Sequence, residues 1–250
     1  MKSLLGFAVF TIAAGLLCLV RPAIAAPADA TIPFVGCKSD GQTGPRDAPT
    51  GAGKTFPIDG RIAQQLAFYK AETGQGVLGP RDWHCFGLYG SNGSILIIAP
   101  EPLDGAELLA RPSAIAGPAI QATESYGDTS GRFAVARIAA RVFPAQKDFV
   151  QRIIDEGIEP AKDFPAGPYP GDRLNYRSSQ VVEYLTPSNT EGLGTTSRLQ
   201  QSGDPISGVA ILLDSTPNLL HVAVRLPSSM SALAPAIVRQ AEQDASSRQP

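Results

Sequence analysis

Asp82-Trp83-His84-Cys85-Phe86-Gly87-Leu88-Tyr89-Gly90-Ser91-Asn92-Gly93-Ser94-Ile95-Leu96-Ile97-Ile98-Ala99 reads as a β-hairpin. Period-two alternation on the first arm turns Trp83, Cys85, Gly87 and Tyr89 to one face and His84, Phe86 and Leu88 to the other. The second arm, Ser94 to Ala99, is aliphatic, and Gly90-Ser91-Asn92-Gly93 supplies a four-residue connection. A hairpin this early in the chain predicts an antiparallel sheet, and the flanking segments are read against it.

Downstream, a weak strand is expected over Pro118–Ala122. Two amphipathic helices follow. In Thr129–Val142 the inner face is Val135, Ile138, Ala139 and Val142; in Ala145–Glu156 it is Phe149, Val150, Ile153 and Ile154. Pro144 separates them, and Ile158–Leu174 is a Pro- and Gly-rich surface loop. Strands are predicted at Gln180–Leu185, Ile206–Leu213 and Leu219–Leu226, the last two joined through Ser215-Thr216-Pro217-Asn218. A helix over Pro235–Gln243 closes the pattern. Upstream, Thr31–Val35 is β-prone, and Asp59 caps a predicted helix running to Glu72, with Ile62, Leu66 and either Tyr69 or Lys70 inward. The result is an α+β fold, an antiparallel sheet with helices inserted between strand groups. The element order is similar to the α/β/α sandwich of PsbP- and Mog1-like proteins, a likeness that carries no function.

Residues 1–25 predict a secretory signal peptide. Lys2 gives a positive start, Leu4 to Val20 is apolar apart from Thr11, and Ala23-Ile24-Ala25 offers small residues at a cleavage site. The competing reading is an uncleaved anchor; Cys18 follows Leu17 and does not form a lipobox. The expected organisation is a signal peptide over 1–25, an extended loop-rich segment over 26–58, one α+β domain over 59–244 and a frayed tail over 245–250. The expected location is the periplasm or the exterior, with no membrane span after cleavage. Removal of Cys18 leaves Cys37 and Cys85, and an even count in an oxidising compartment predicts a disulfide between them.

Composition narrows the partners. Lys and Arg total 21 against 23 Asp and Glu, so the basic excess of a nucleic-acid binder is missing. With 43% hydrophobic and 18% charged residues, the chain can build a core. Gly51-Ala52-Gly53-Lys54-Thr55 is not a P-loop, because position 48 is Ala and no buried strand precedes it. His84 and His221 are the only histidines and form no metal-binding pattern, so neither metal nor cofactor is expected. No serine sits in a nucleophile elbow. A two-carboxylate site stays open, since its members need not be close in sequence.

Two candidate sites remain. Cys85-Phe86-Gly87-Leu88-Tyr89 with His221-Val222-Ala223-Val224 faintly resembles the Cys/His pair of NlpC-type cell-wall peptidases, which makes Cys85 and His221 catalytic candidates for an alternative hydrolase. That chemistry needs Cys85 reduced. The second candidate is a ligand surface at the hairpin, where Trp83, Tyr89, Ser91 and Asn92 combine aromatic faces with a polar turn. The plain alternative is a core hairpin pinned by the disulfide.

The segments Gly36–Pro45, Gly76–Ser94, Ser130–Pro144 and Ser197–Leu212 together resemble a family of exported bacterial proteins of unknown function. The resemblance implies a secreted single-domain protein and carries over no catalytic residue. The leading expectation is a non-enzymatic envelope protein that binds a cell-envelope ligand or partner.

Overall fold

The computed structural model describes residues 29–110, 115–213 and 216–247. The expected signal peptide and Ser215 of the predicted turn lie outside them. In chain order the strands are β1 (Asp29–Ile32), β2 (Phe34–Gly36), β3 (Ser39–Gly41), β4 (Lys54–Pro57), β5 (Leu66–Lys70), β6 (Val77–Pro80), β7 (His84–Gly90), β8 (Gly93–Ala99), β9 (Ala119–Ser125), β10 (Arg173–Tyr176), β11 (Val181–Thr186), β12 (Ile206–Leu212) and β13 (Leu219–Arg225). The α-helices are α1 (Gly60–Ala63), α2 (Gly105–Ala110), α3 (Arg132–Val142), α4 (Lys147–Asp155) and α5 (Ala234–Ser246).

The predicted hairpin is the pair β7–β8, closed by Gly90 opposite Gly93. Gly93 has φ 140°, and a Cβ there would run into the Glu124 carbonyl of the next strand, so only glycine fits. Antiparallel pairing continues outward through β9, β13, β12, β11 and β10. On the other side β3 adds a short parallel edge beside β7. This eight-stranded sheet is the spine of an α+β fold.

Each face buries a separate cluster. Val182, Tyr184, Ile206, Ala210, Leu212 and Ala223 meet Phe133, Val135, Ile138 and Val142 of α3 and Phe149, Val150 and Ile153 of α4. The alternate residues Val209, Ile211, Val222, Val224, Ile120 and Ile98 meet Ile237, Val238 and Ala241 of α5 and a small sheet ordered β2-β5-β6. The inward stripes of α3 and α4 match the expected ones. At about 25 cal/mol per Å² of apolar area, this double burial is the main stabilising force.

The predicted helix from Asp59 to Glu72 is corrected. Asp59 Oδ1 does accept the amides of Arg61 and Ile62 at 2.9 and 3.4 Å, but the helix ends at Ala63. Leu66, Ala67, Phe68 and Tyr69 are buried on both sides, and β5 pairs with β2 in parallel and β6 in antiparallel register. A short apolar run fits either period, and non-local pairing decides it. Of the 26–58 segment, the described residues 29–58 hold four short strands; Ile32, Cys37 and Phe56 share the α5-side core and pack with the body. The last helix extends past Gln243 to Ser246, with Ala245 buried where a frayed end was expected.

Candidate binding cleft

The structure joins Cys37 to Cys85, with Cα atoms 5.4 Å apart. The bond ties the N-terminal segment to β7. Cys85 aligns with Ile98, Ile120 and Val224 across the sheet, on the α5-side face. His221, three residues before Val224, points to the other face. A Cys85–His221 catalytic pair is therefore not assembled: the sulfur is bonded elsewhere and the imidazole lies across the sheet.

The residues of the expected hairpin ligand surface are split between the two ends of β7. Trp83 packs against the α5-side core at one end of β7, and its amide donates to Tyr69 Oη at 3.2 Å. Tyr89 sits at the other end, roughly 20 Å away along the strand. Its hydroxyl is held by Thr43 at 2.9 Å and by Arg46, whose guanidinium lies over the ring. The Ser91 amide donates to Gln42, and the Asn92 carbonyl accepts from Tyr126. Trp83 therefore stands apart from Tyr89, Ser91 and Asn92, which lie together at the turn end of the hairpin.

A different group converges beneath α3. On β9, Gln121, Thr123 and Ser125 point to the α3 face, and Thr123 stands opposite His221 of β13. They form the floor of a cleft of about 540 Å³, large enough for a small ligand. Arg137 and Arg141 of α3, Lys162 and Tyr169 of the segment after α4, and Arg198 line its walls. Gln121 and Ser125 are buried, and His221 is 5% exposed. A strand covered by a helix ordinarily presents apolar residues there, as β11 and β12 do with Val182, Ala210 and Leu212.

The floor has a defined hydrogen-bond pattern. Gln121 Oε1 accepts the Arg198 amide at 2.9 Å, and its Nε2 donates to Thr123 Oγ1 at 2.7 Å. His221 Nε2 lies 2.8 Å from Tyr184 Oη, which also sits 3.1 Å from the Val222 carbonyl. Tyr184 has one proton and the carbonyl only accepts. Both contacts are satisfied when Tyr184 donates to Val222 and His221 donates from Nε2. Burial pushes the His221 pKa down to about 4, so the ring is neutral at neutral pH and Nδ1 carries a lone pair. Among the described residues no donor meets that nitrogen.

The walls carry charges of both signs. Arg137 is paired with Glu159, whereas Arg141 stacks 3.9 Å from the Tyr169 ring centroid and donates to the Gly167 carbonyl. Lys162, Asp163 and Glu191 add charges of both signs, and Arg198 Nη1 donates to the Leu108 carbonyl at 2.9 Å. Burial lowers the Arg198 pKa, a sign that its charge is partly desolvated.

A second groove of about 790 Å³ lies between β11 and α5. Glu183 and Glu242 face each other there, with Arg177 and Arg239 beside them. Glu183 accepts from Asn175 and pairs with Arg177, so the groove's polar groups are largely engaged with one another and it makes the weaker case for a ligand. Among the described residues no three His, Cys, Asp or Glu gather as a metal site, and no helix is long and apolar enough to cross a membrane. Comparison with family models, curated proteins and solved structures finds no match.

Sequence reading ended β9 at Ala122, where hydrophobicity stops, and so missed Thr123 and Ser125. The available signal was the alternation itself: Gln121, Thr123 and Ser125 recur at every second residue opposite Ile120, Ala122 and Glu124. Nothing local shows that His221 stands next to Thr123.

Proposed function

We propose that this is an exported, disulfide-braced envelope protein that binds a small polar ligand in the cleft between the central sheet and α3, without covalent catalysis. The observation that carries this reading is the polar row Gln121, Thr123, Ser125 and His221, which opens into a cleft on a sheet face where β12 presents Ile206, Ala210 and Leu212. A buried polar row costs free energy unless something satisfies it. Gln121 is satisfied within the protein, while Thr123 and His221 line the cleft, each with one hydrogen-bonding valence beyond its contact with Gln121 or Tyr184. The Cys37–Cys85 bond supports assembly in an oxidising compartment.

The test is native mass spectrometry after incubation with the small-molecule fraction of a cell-envelope extract. Ala134 lines the cleft from α3, and Ala134→Trp fills it. The expected result is a ligand adduct on the wild-type protein that the filled variant, still folded by circular dichroism, does not retain. Equal retention by both, or by neither, overturns the reading.

A further inference from the structure

We propose that the cleft takes an uncharged monosaccharide, with its hydroxyls on Thr123, Ser125 and His221 and its C–H face on the apolar residues that stand beside them. This rests on the binding reading above and adds the chemical class.

Strand register lays polar and apolar side chains next to each other. Ile95 of β8, Thr123 of β9 and His221 of β13 stand in one row across the sheet. One pleat further along β9, Ser125 stands beside Leu219 of β13. Cross-strand neighbours are about 5 Å apart, and successive residues on one face about 7 Å. Ala134 and Ile138 of α3 line the same cleft and add to its apolar side. A sugar ring has the same division, with hydroxyls around its edge and C–H groups on its faces. A wholly apolar ligand would leave the polar half of this floor unmet.

The hydrogen-bonding valences favour hydroxyls over ions. Thr123 Oγ1 accepts from Gln121, and among the described residues its own proton has no acceptor. Ser125 is buried, yet among the described residues no hydrogen bond reaches its Oγ. His221 is neutral at neutral pH and keeps a lone pair at Nδ1. Donor and acceptor are thus cross-strand neighbours at Thr123 and His221. A hydroxyl answers both, accepting from one and donating to the other. A carboxylate or phosphate only accepts and would set an oxygen against the His221 lone pair. An ammonium only donates and would leave the Thr123 proton unmet.

The walls give an ion no net reward. Arg137 is taken up by Glu159, and Arg198 gives its Nη1 to the Leu108 carbonyl. Arg141 and Lys162 then balance Asp163 and Glu191. A charged ligand would leave water with no surplus of opposite charge to meet it, whereas an uncharged one loses nothing by the balance.

Isothermal titration of the purified protein with D-glucose, D-galactose and D-mannose, and with the uronate of each, tests the class. The expected result is saturable binding of at least one hexose and no tighter binding of its uronate. The hexose affinity should stay within about twofold between low salt and about 0.5 M salt, because no ion pair is there to be screened. Ser125→Ala and Thr123→Val should each weaken that hexose about tenfold. Thr123→Ser keeps the hydroxyl and should retain binding within about threefold. A uronate that binds more tightly than its hexose overturns the proposal, as do equal losses in Thr123→Val and Thr123→Ser, or undiminished hexose binding by Ala134→Trp. If no hexose binds while the Ala134-dependent adduct persists, the sugar class falls and the binding reading stands. If the adduct is also missing, both fall.

Discussion

Tyr184 and His221 are hydrogen-bonded at 2.8 Å across an intervening strand, and Gly208 of β12 is what lets them meet. The Tyr184 ring lies over Gly208, and a Cβ at that position would strike the ring and the Val222 carbonyl. Removing the hydroxyl with Tyr184→Phe leaves His221 Nε2–H buried without an acceptor. Chemical denaturation should show a loss of about 1–3 kcal/mol. Imidazole nitrogen NMR should report the Nε2–H tautomer in the wild type; an Nδ1–H tautomer would contradict the hydrogen-bond assignment.

The same residue sets an acid limb. His221 has a folded pKa near 4 against about 6.5 when exposed. The unfolded chain therefore binds the extra proton first as pH falls. The contribution is fully present above pH 6.5 and is lost on descending toward 4, up to about 3 kcal/mol for a shift of this size. Melting temperatures of wild type and His221→Gln should diverge at pH 7 and converge toward pH 4. A constant difference across that range would refute the linkage.

Glu242 acts in the opposite sense. Burial first, then the hydrogen bond and charge of Glu183, push its pKa up to about 7, while Arg177 and Arg239 pull it down. Its Oε1 is buried without a donor, and two carboxyls bond only when one of them holds a proton. Glu183 is also held by Asn175 at 2.6 Å. A raised acid pKa gives stability that is present below about 4.5 and is lost as pH rises through 7. Glu242→Gln should flatten that decline in a thermal-melt series; an unchanged slope would show that the pair does not share a proton.

Arg225 is fully buried on β13 and anchors the segments beside the cleft. Its Nη1 donates to the carbonyls of Ile115, Ala116 and Gly117 at 3.0, 3.0 and 3.2 Å, and its Nη2 to the carbonyl of Gln200. Arg225→Met keeps the bulk but strands these acceptors. A destabilisation of about 3 kcal/mol is expected, with faster amide exchange at Ile115 and Gln200, whose backbones are bonded to each other. Unchanged exchange there would mean the side chain does not brace this region.

The Cys37–Cys85 bond closes a separation of 48 residues. In the chain-entropy model such a loop is worth on the order of 4 kcal/mol. Replacing both cysteines by serine should lower the denaturation midpoint accordingly, and non-reducing peptide mapping of the wild type should recover the linked pair. Free thiols on protein isolated from an oxidising compartment would break the assignment.

What the chain determined by itself was local or compositional. The β7–β8 hairpin, the strands β11 to β13, the inward stripes of α3 and α4 and the choice of cysteine partners all follow from alternation, helical period, turn residues and an even cysteine count. Those signals lie within a few residues of one another or need only arithmetic. The tertiary structure decided the rest. Leu66–Lys70 became a strand because β2 and β6 were there to pair with it. The cleft arose because register set Thr123 beside His221, almost a hundred residues apart in the chain, while placing Cys85 on the other side of the sheet. Register and side-chain environment are products of long-range pairing, and no window of sequence contains both partners.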